Sequence, residues 1–328
     1  MPSQTFNCKI PINTQPPLLE PYRTGSYLIY DYLPGNTPGK QPSGCPPMDK
    51  THFRDGTTMG LRASGSRQLD FQPFAEKLRT VAAYVKPNGR LYVVDLRQES
   101  HVFFDTCAVS WYSDKDWANV GQSEQWILRD EANQIASASG PGKHTVQIFC
   151  VDQASKSAGQ LIPTGYSEVA VTSAASEEET LKKMKLPCPV EYVRIPVTDH
   201  CMPNPEAWKK FVGLCSMLIP PRDWVHFHCH GGDGRTTTFL AMYDMFCWAQ
   251  SKKQPVPCVQ DFSNRQWSLF CYCLDPTGCD GIDVSSNWKS ALAVARWKWL
   301  FKWHRRVFGS ELEQGTAVAA RARGRRKP

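Results

Sequence analysis

His228-Cys229-His230-Gly231-Gly232-Asp233-Gly234-Arg235-Thr236 sets a cysteine and an arginine at the two ends of a loop with three glycines between them. Upstream, Trp224 to His228 reads as a short buried strand. Downstream, Thr236 to Gln250, with Phe239, Leu240, Met242, Tyr243, Phe246 and Cys247 apolar, reads as a helix. The loop therefore joins a strand to a helix N-terminus. Glycines let the successive N–H groups from His230 to Gly234 turn inward around an anion, and the helix end adds its partial positive charge. The same dipoles favour thiolate over thiol at Cys229. The planar guanidinium of Arg235 can clamp two phosphate oxygens while the sulfur attacks phosphorus. Thr236 is placed to donate its hydroxyl to the sulfur as it leaves, and His228 leads the loop.

The chain holds its own control for that spacing. Cys188 and Arg194 stand equally far apart in Cys188-Pro189-Val190-Glu191-Tyr192-Val193-Arg194, without a glycine and in what reads as the entry to a strand. Spacing alone is therefore weak evidence; spacing with glycines between strand and helix is strong. The plain alternative for Cys229 is a buried thiol packing as a small hydrophobe.

Chemistry through a phosphocysteine needs a proton donor for the departing alkoxide. Tyr192 to Thr198 reads as a strand that ends at Asp199-His200, and Met202-Pro203-Asn204-Pro205 is a turn leading into a helix. Asp199 can be a turn residue, but beside Cys229 it is the candidate general acid.

At this point the chain resembles a known family, the protein-tyrosine-phosphatase-like inositol polyphosphatases, or cysteine phytases. The resemblance rests on Phe53-Arg54, Ala63-Ser64-Gly65-Ser66, Asp95-Leu96-Arg97-Gln98-Glu99-Ser100-His101, Val109-Ser110-Trp111-Tyr112, Asp116-Trp117-Ala118-Asn119, Thr198-Asp199-His200, the Cys229 loop and Asn287-Trp288-Lys289, in that order. It implies Cys229 as nucleophile, Arg235 as phosphate clamp and Asp199 as general acid. It further implies that His200, Arg54, Lys289, Arg296 and, more loosely, Lys156 contact substrate phosphates, and that Asp116 orients substrate or solvent. Lys289 and Arg296 lie seven residues apart on one face of an expected helix. Asp95, Arg97 and Glu99 are expected to form a charge network supporting the site. Two positions depart from the family pattern: His230 stands where a relative has an acid, and Asp233 where it has a small apolar residue. Because amides in such loops face the phosphate and side chains face outward, activity is expected to survive both.

The implied fold is α/β, a tyrosine-phosphatase-like central sheet flanked by helices, with a small partial β-barrel over about residues 102–170. The catalytic domain is expected over 51–312, after a proline- and glycine-rich extension (1–50) and before a basic disordered tail (313–328). Helical spacing of Phe71, Phe74, Leu78, Val81 and Val85, a strand at Leu91 to Leu96, helices at Trp126 to Ala136 and Ser176 to Met184, a strand at His144 to Val151 and a long helix over 287–308 fit an α/β core. The net charge of +7 suggests nucleic acid, but Arg321, Arg323, Arg325, Arg326 and Lys327 supply five of those charges from the tail, leaving +2 elsewhere. No nucleic-acid role is expected of the core. No run of apolar residues is long enough for a transmembrane helix, and the N-terminus lacks the basic-then-apolar pattern of a signal peptide. A cytoplasmic chain, or one exported by a signal-independent route, is expected. Thirteen cysteines without paired Cys-x2-Cys knuckles argue against zinc and for a reduced compartment. The expected reaction needs neither metal nor cofactor: stepwise phosphate removal from inositol hexakisphosphate. A protein-tyrosine or phosphoinositide phosphatase would share every catalytic residue, and a non-catalytic inositol-phosphate-binding module is the alternative of another class.

Overall fold

The computed structural model describes residues 26–31, 50–139, 144–276 and 288–324, with side chains as far as Gly309 in the last stretch. The remainder of the N-terminal extension, Asn287 of the Asn-Trp-Lys block and the tail beyond Gly324 lie outside the described residues. In chain order come β1 (Tyr27–Tyr30), β2 (Arg54–Asp55), β3 (Ala63–Arg67), α1 (Phe71–Ala82), β4 (Leu91–Arg97), β5 (His101–Phe104), β6 (Cys107–Tyr112), α2 (Glu124–Ala138) and β7 (His144–Val151). They are followed by α3 (Gln153–Ser157), β8 (Pro163–Val171), β9 (Ala174–Ala175), α4 (Glu177–Lys183), β10 (Val190–Val197), α5 (Pro205–Met217), β11 (Trp224–Cys229), α6 (Gly234–Gln250), α7 (Val259–Phe270) and α8 (Lys289–Gly324).

The central sheet runs β10-β4-β11-β3-β2 and is parallel apart from β2. Every residue of β4 is buried, and the strand opens with four successive apolar residues, Leu91 to Val94, before the buried charges of Asp95 and Arg97. Its alternation emerges in what each side chain touches. Leu91 and Val93 pack with Phe74, Leu78 and Trp224 on the α1 side. Tyr92, Val94 and Leu96 pack with Phe211, Phe239 and Trp303 on the side of α5, α6 and α8. Helix α5 starts where Asn204 accepts the Ala207 N–H at 2.8 Å with Pro205 in the first turn. Helix α4 carries a full capping box between Ser176 and Glu179.

Strand β3 has almost no apolar content, which is why its sequence does not announce a strand. Its small residues are required by α6: a Cβ on Gly65 would lie 2.7 Å from Thr236 Cγ2 and 2.9 Å from a Leu240 methyl. Its hydroxyls are satisfied, with Ser64 Oγ 2.8 Å from His226 Nδ1 and accepting the Trp224 indole N–H at 2.9 Å.

A second sheet, β1-β6-β5-β9, is antiparallel, and β7 and β8 form a separate antiparallel pair. Leu28, Val102, Val109 and Trp111 of the sheet share a core with Val146, Ile148 and Val171 of the pair. These strands occupy the region expected to form a partial β-barrel, and β1 adds a strand from the segment read as an extension. Lys156 lies on the short helix α3. One further expectation changes: α8 carries helical backbone to Gly324 where disorder was expected from 313. Alanine, glutamate and arginine are good helix formers and simply continue the preceding turn. No helix of the described residues is long and apolar enough to cross a membrane.

Gly65→Ala should lower unfolding stability by about 1–3 kcal/mol, the usual cost of overpacking, read from urea denaturation midpoints. An unchanged midpoint would mean that α6 can withdraw from β3.

Candidate active site

Strand β11, central in the sheet, delivers Cys229 to its C-terminal end, the edge where open α/β sheets place ligands. The thiol is 2% exposed. Two donors converge on it: the Gly232 N–H at 3.2 Å and the Thr236 hydroxyl at 3.1 Å. Gly232 has φ +77°, and a Cβ there would fall 2.5 Å from the Arg67 nitrogen, so this loop position requires glycine.

Arg235, in the first turn of α6, is buried. Its Nη1 and Nη2 donate to the two Glu99 oxygens at 2.7 and 3.0 Å, and Nη1 also donates to the Val197 carbonyl at 3.1 Å. Nε lies 3.1 Å from Asp199 Oδ1, and Nη2 lies 3.7 Å from Asp116 Oδ2. Burial alone would weaken this guanidinium's charge, yet the carboxylates of Asp199 and Glu99 hold its pKa well above the ordinary range. Burial likewise works against ionisation of Asp199, but Arg235 and His200, whose Nε2 is 3.0 Å away, keep its carboxyl below the usual range. Trp117 holds the acid's backbone by donating its indole N–H to the Asp199 carbonyl at 3.0 Å.

Behind the loop stands a charge network. Arg97 lies between Glu99 at 2.8 Å and Asp31 at 2.7 Å, and Ser110 donates to Asp31 at 2.6 Å. A second branch runs from His228, 2.7 Å from Glu177, through His101 to Asp95, where Arg194 approaches to 2.9 Å and Tyr192 donates at 2.8 Å. Burial opposes the charged form of His101, and Arg97 adds to that, but Asp95 raises its pKa to about 9. Asp95, His101 and Glu177 have the spacing of a metal-ligand set. Arg194, Tyr192 and His228 already take up the same carboxylates. The control pair separates cleanly: Arg194 belongs to this network within β10, and no loop joins it to Cys188.

The remaining candidates divide. His200, Asp116 and Asp199 gather at Arg235, as described. His230, directly after the nucleophile, lies 3.4 Å from Asp31 and against Tyr112; burial first, then the Lys156 charge, push its pKa down to about 3. Lys156 sits over the Tyr112 ring at 4.1 Å. Asp233 turns outward to His52, 3.1 Å away, as expected of a loop whose amides face inward, and the same His52 nitrogen lies 2.8 Å from the Gly231 carbonyl. Arg54 does not line an open rim. It donates to the Thr237 hydroxyl at 2.9 Å and lies on the Phe270 ring, bracing the start of α6. Arg296 is also buried, donating to the His200 carbonyl at 3.1 Å and the Tyr272 hydroxyl at 2.9 Å, and it packs so closely that a Cβ on Gly234 would meet it at 2.6 Å. Lys289 sits at the start of α8 with its ammonium 5.4 Å from the Trp288 ring centre.

Asp31, His101 and Glu177 escaped sequence reasoning as site residues. Each reaches the network through strand pairing or a helix start that no short motif encodes. Cys229 is a free thiol, whereas Cys150, Cys271 and Cys273 are disulfide-bonded, which runs against the expectation of a reduced compartment.

Glu99→Gln should cost about 3–5 kcal/mol, because it leaves two buried guanidinium groups short of a charge. Burial disfavours the Glu99 carboxylate, but Arg235 and Arg97 depress its pKa. Its stabilisation is therefore present above the unfolded value of roughly 4 and is lost as pH falls through the folded one. Acid denaturation of the variant should show a correspondingly shallower dependence on pH; an unchanged curve would remove Glu99 from this role.

Residues 94–247, from β4 through most of α6, match the family model PTPlike_phytase, described by inositol hexakisphosphate. Effector protein hopD2 of Pseudomonas syringae pv. tomato is 30% identical over 190 residues, which span 58% of this chain and 38% of that protein. A tandemly repeated protein tyrosine phosphatase like phytase from Mitsuokella multacida superposes with TM-score 0.67 at 24% identity, over 91% of this chain and 46% of that one. The PTP-like myo-inositol phosphatase of the same organism, in complex with myo-inositol-(1,3,4,5)-tetrakisphosphate, gives 0.65 at 25% identity, over 88% and 47%. A PTP-like phytase from Bdellovibrio bacteriovorus gives 0.60 at 25%, over 91% and 94%. The chain thus spans less than half the length of the curated relative and of the Mitsuokella chains. Residues 94–247, which include Asp199, Cys229 and Arg235, match the model of the PTP-like phytase family, and most of the chain shares the fold of PTP-like phytases.

Proposed function

We propose that the chain is a cysteine-dependent phosphomonoesterase that removes phosphates stepwise from inositol hexakisphosphate through a phosphocysteine. The observation that carries this reading is the convergence of the Gly232 amide and the Thr236 hydroxyl on Cys229 Sγ, with Arg235 linked to Asp199 in the same pocket. A merely packed thiol has no use for two donors and a neighbouring guanidinium.

In the first step the sulfur attacks phosphorus, the P–O bond to the inositol oxygen breaks, and Asp199 gives that oxygen a proton. In the second, the Asp199 carboxylate takes a proton from water as the water oxygen bonds to phosphorus and the S–P bond breaks. The Thr236 hydroxyl stabilises the departing thiolate. Substrate phosphate displaces Asp199 from the Arg235 Nε, freeing the acid to move to the leaving group.

A polyphosphorylated ring is favoured over a single phosphate by the cavity of about 270 Å³ beside the loop, whose lining holds the basic side chains of Arg67 and Lys156, with the neutral His230 and one acid, Asp31. Clustered cations in a cleft raise both encounter rate and occupancy for a polyanion. A phosphotyrosine or phosphoinositide would use the same nucleophile, so the ratio of kcat/KM for inositol hexakisphosphate to that for a phosphotyrosine peptide decides between them; a ratio favouring the peptide overturns the assignment. Export as an effector is proposed alongside, on the printed name of the curated relative and on the disulfides, which favour an oxidising setting.

Cys229→Ser should abolish turnover yet retain equilibrium binding of inositol hexakisphosphate, because the amide cradle persists. Asp199→Asn should slow turnover by roughly 10²–10⁴-fold, the worth of a positioned proton donor. The general acid must be protonated, and Arg235 holds Asp199 low in the free protein. Phosphate charge arriving beside it raises that value. The alkaline limb of the kcat profile should consequently lie at higher pH than that of kcat/KM, and coincident limbs would contradict the exchange at Arg235.

A further inference from the structure

Asp116 is a buried carboxyl for which the two steps above find no use. It is 3% exposed, and among the described residues neither of its oxygens has a hydrogen-bond partner. The nearest cationic atom among the described residues, Arg235 Nη2, is 3.7 Å away, beyond hydrogen-bonding distance. The backbone that presents it is strained: Lys115 and Asp116 adopt φ +58° and +61°, consecutive left-handed residues that both carry side chains. Such strain persists only where the surroundings hold it, and it gathers at functional sites. The surroundings are visible here, since the Lys115 N–H donates to the Gly159 carbonyl at 3.1 Å and its ammonium sits over Trp117 and Trp288.

The groups facing this carboxyl come from several elements. Glu99 and Arg97 approach from the end of β4, Arg235 from α6, Asp199 from beyond β10, Tyr112 from β6 and Lys156 from α3. Burial first, then the negative charges of Glu99 and Asp199, outweigh Arg235 and Arg97, so the Asp116 carboxyl keeps its proton well above the ordinary range. Asp199 is held in the opposite sense. Between the two acids at the clamp, the proton therefore rests on the one that sequence motifs would not choose as donor.

We propose that Asp116 is the proton reserve of the reaction, entering each cycle as the neutral acid and passing its proton to the Asp199 carboxylate as substrate phosphate takes over Arg235. The Asp116 O–H bond breaks as the Asp199 O–H bond forms. That bond in turn breaks as the leaving oxygen is protonated and sulfur displaces it from phosphorus. During hydrolysis Asp199 recovers a proton from water, and it returns this proton to Asp116 when inorganic phosphate departs and Arg235 rejoins Asp199. Asp116 acts through Asp199 and is a positioning residue in this sense. The inference rests on the phosphatase reading above.

Asp116→Asn keeps the shape and neutrality of the carboxylic acid but carries no transferable proton. It should reduce kcat for inositol hexakisphosphate, whose alkoxide leaves poorly, by on the order of 10²-fold. The loss for p-nitrophenyl phosphate, whose leaving group needs little protonation, should be roughly ten times smaller. The alkaline limb of kcat should move to lower pH, since Asp199 must then find its proton from solvent. Equal losses on both substrates, or an unmoved limb, would overturn the proposal and leave Asp116 as a substrate-orienting residue. Asp116→Ser, smaller and uncharged, is run in parallel with thermal melting of both variants. If neither folds, a structural role accounts for the residue and the proposal falls. If the wild type hydrolyses neither substrate, the phosphatase reading fails, an outcome distinct from all of these.

Discussion

The two-pronged contact between Arg235 and Glu99 is the interaction on which the rest of the site depends. A guanidinium with almost no solvent exposure can stay charged only if carboxylates meet it at close range, and Glu99 meets it with both oxygens. Glu99 is itself shared with Arg97, which in turn leans on Asp31. The clamp is thus the front member of a buried row of alternating charges reaching from α6 to the edge strand β1. Its plane is set by these carboxylates, which suits the proposed bidentate recognition of phosphate without reorganisation.

The sheet exists in service of that row and of the loop beside it. Central β11 holds His228 and Cys229 between β3 and β4, the small residues of β3 let α6 approach, and the aromatic packing of Phe211, Phe227 and Phe239 with Trp303 fixes α6 from the far side. The antiparallel unit encloses one side of the loop. It brings Asp31, Tyr112 and Lys156 around the mouth of the loop and completes the charge row with a residue far upstream in the chain. Among the non-glycine residues with positive φ, Lys115, Asp116 and His200 are the ones that belong to the segments around the clamp.

What could be read from the amino acids alone follows a physical divide. The Cys229 loop was legible because phosphate cradles need glycine, a strand and a helix start in immediate succession, and the same locality exposed β4, α5 and α4. Strand β3 was not legible as a strand, because its composition answers to the helix packed on it instead of to β propensity. Asp31, His101 and Glu177 were silent because buried ion pairs are made by strand register, which links residues distant in the chain. Arg54 and Arg296 were recognised as site residues, but their positions differ from expectation: both are buried struts against α6 and the acid-bearing turn, and burial of a cation is invisible to a count of basic residues. The outward turn of Asp233 toward His52 did follow from reasoning about loop amides.

The account stands or falls on covalent chemistry at one sulfur, flanked by an amide, a hydroxyl and a guanidinium. Rapid quenching with denaturant at mildly alkaline pH during turnover of inositol hexakisphosphate, followed by peptide mass spectrometry, tests this directly. A phosphoryl group found on the peptide bearing Cys229, accumulating and decaying with turnover, is the predicted result. Turnover that continues with phosphate on another residue, or with none trapped under conditions that preserve a thiophosphate ester, would contradict it.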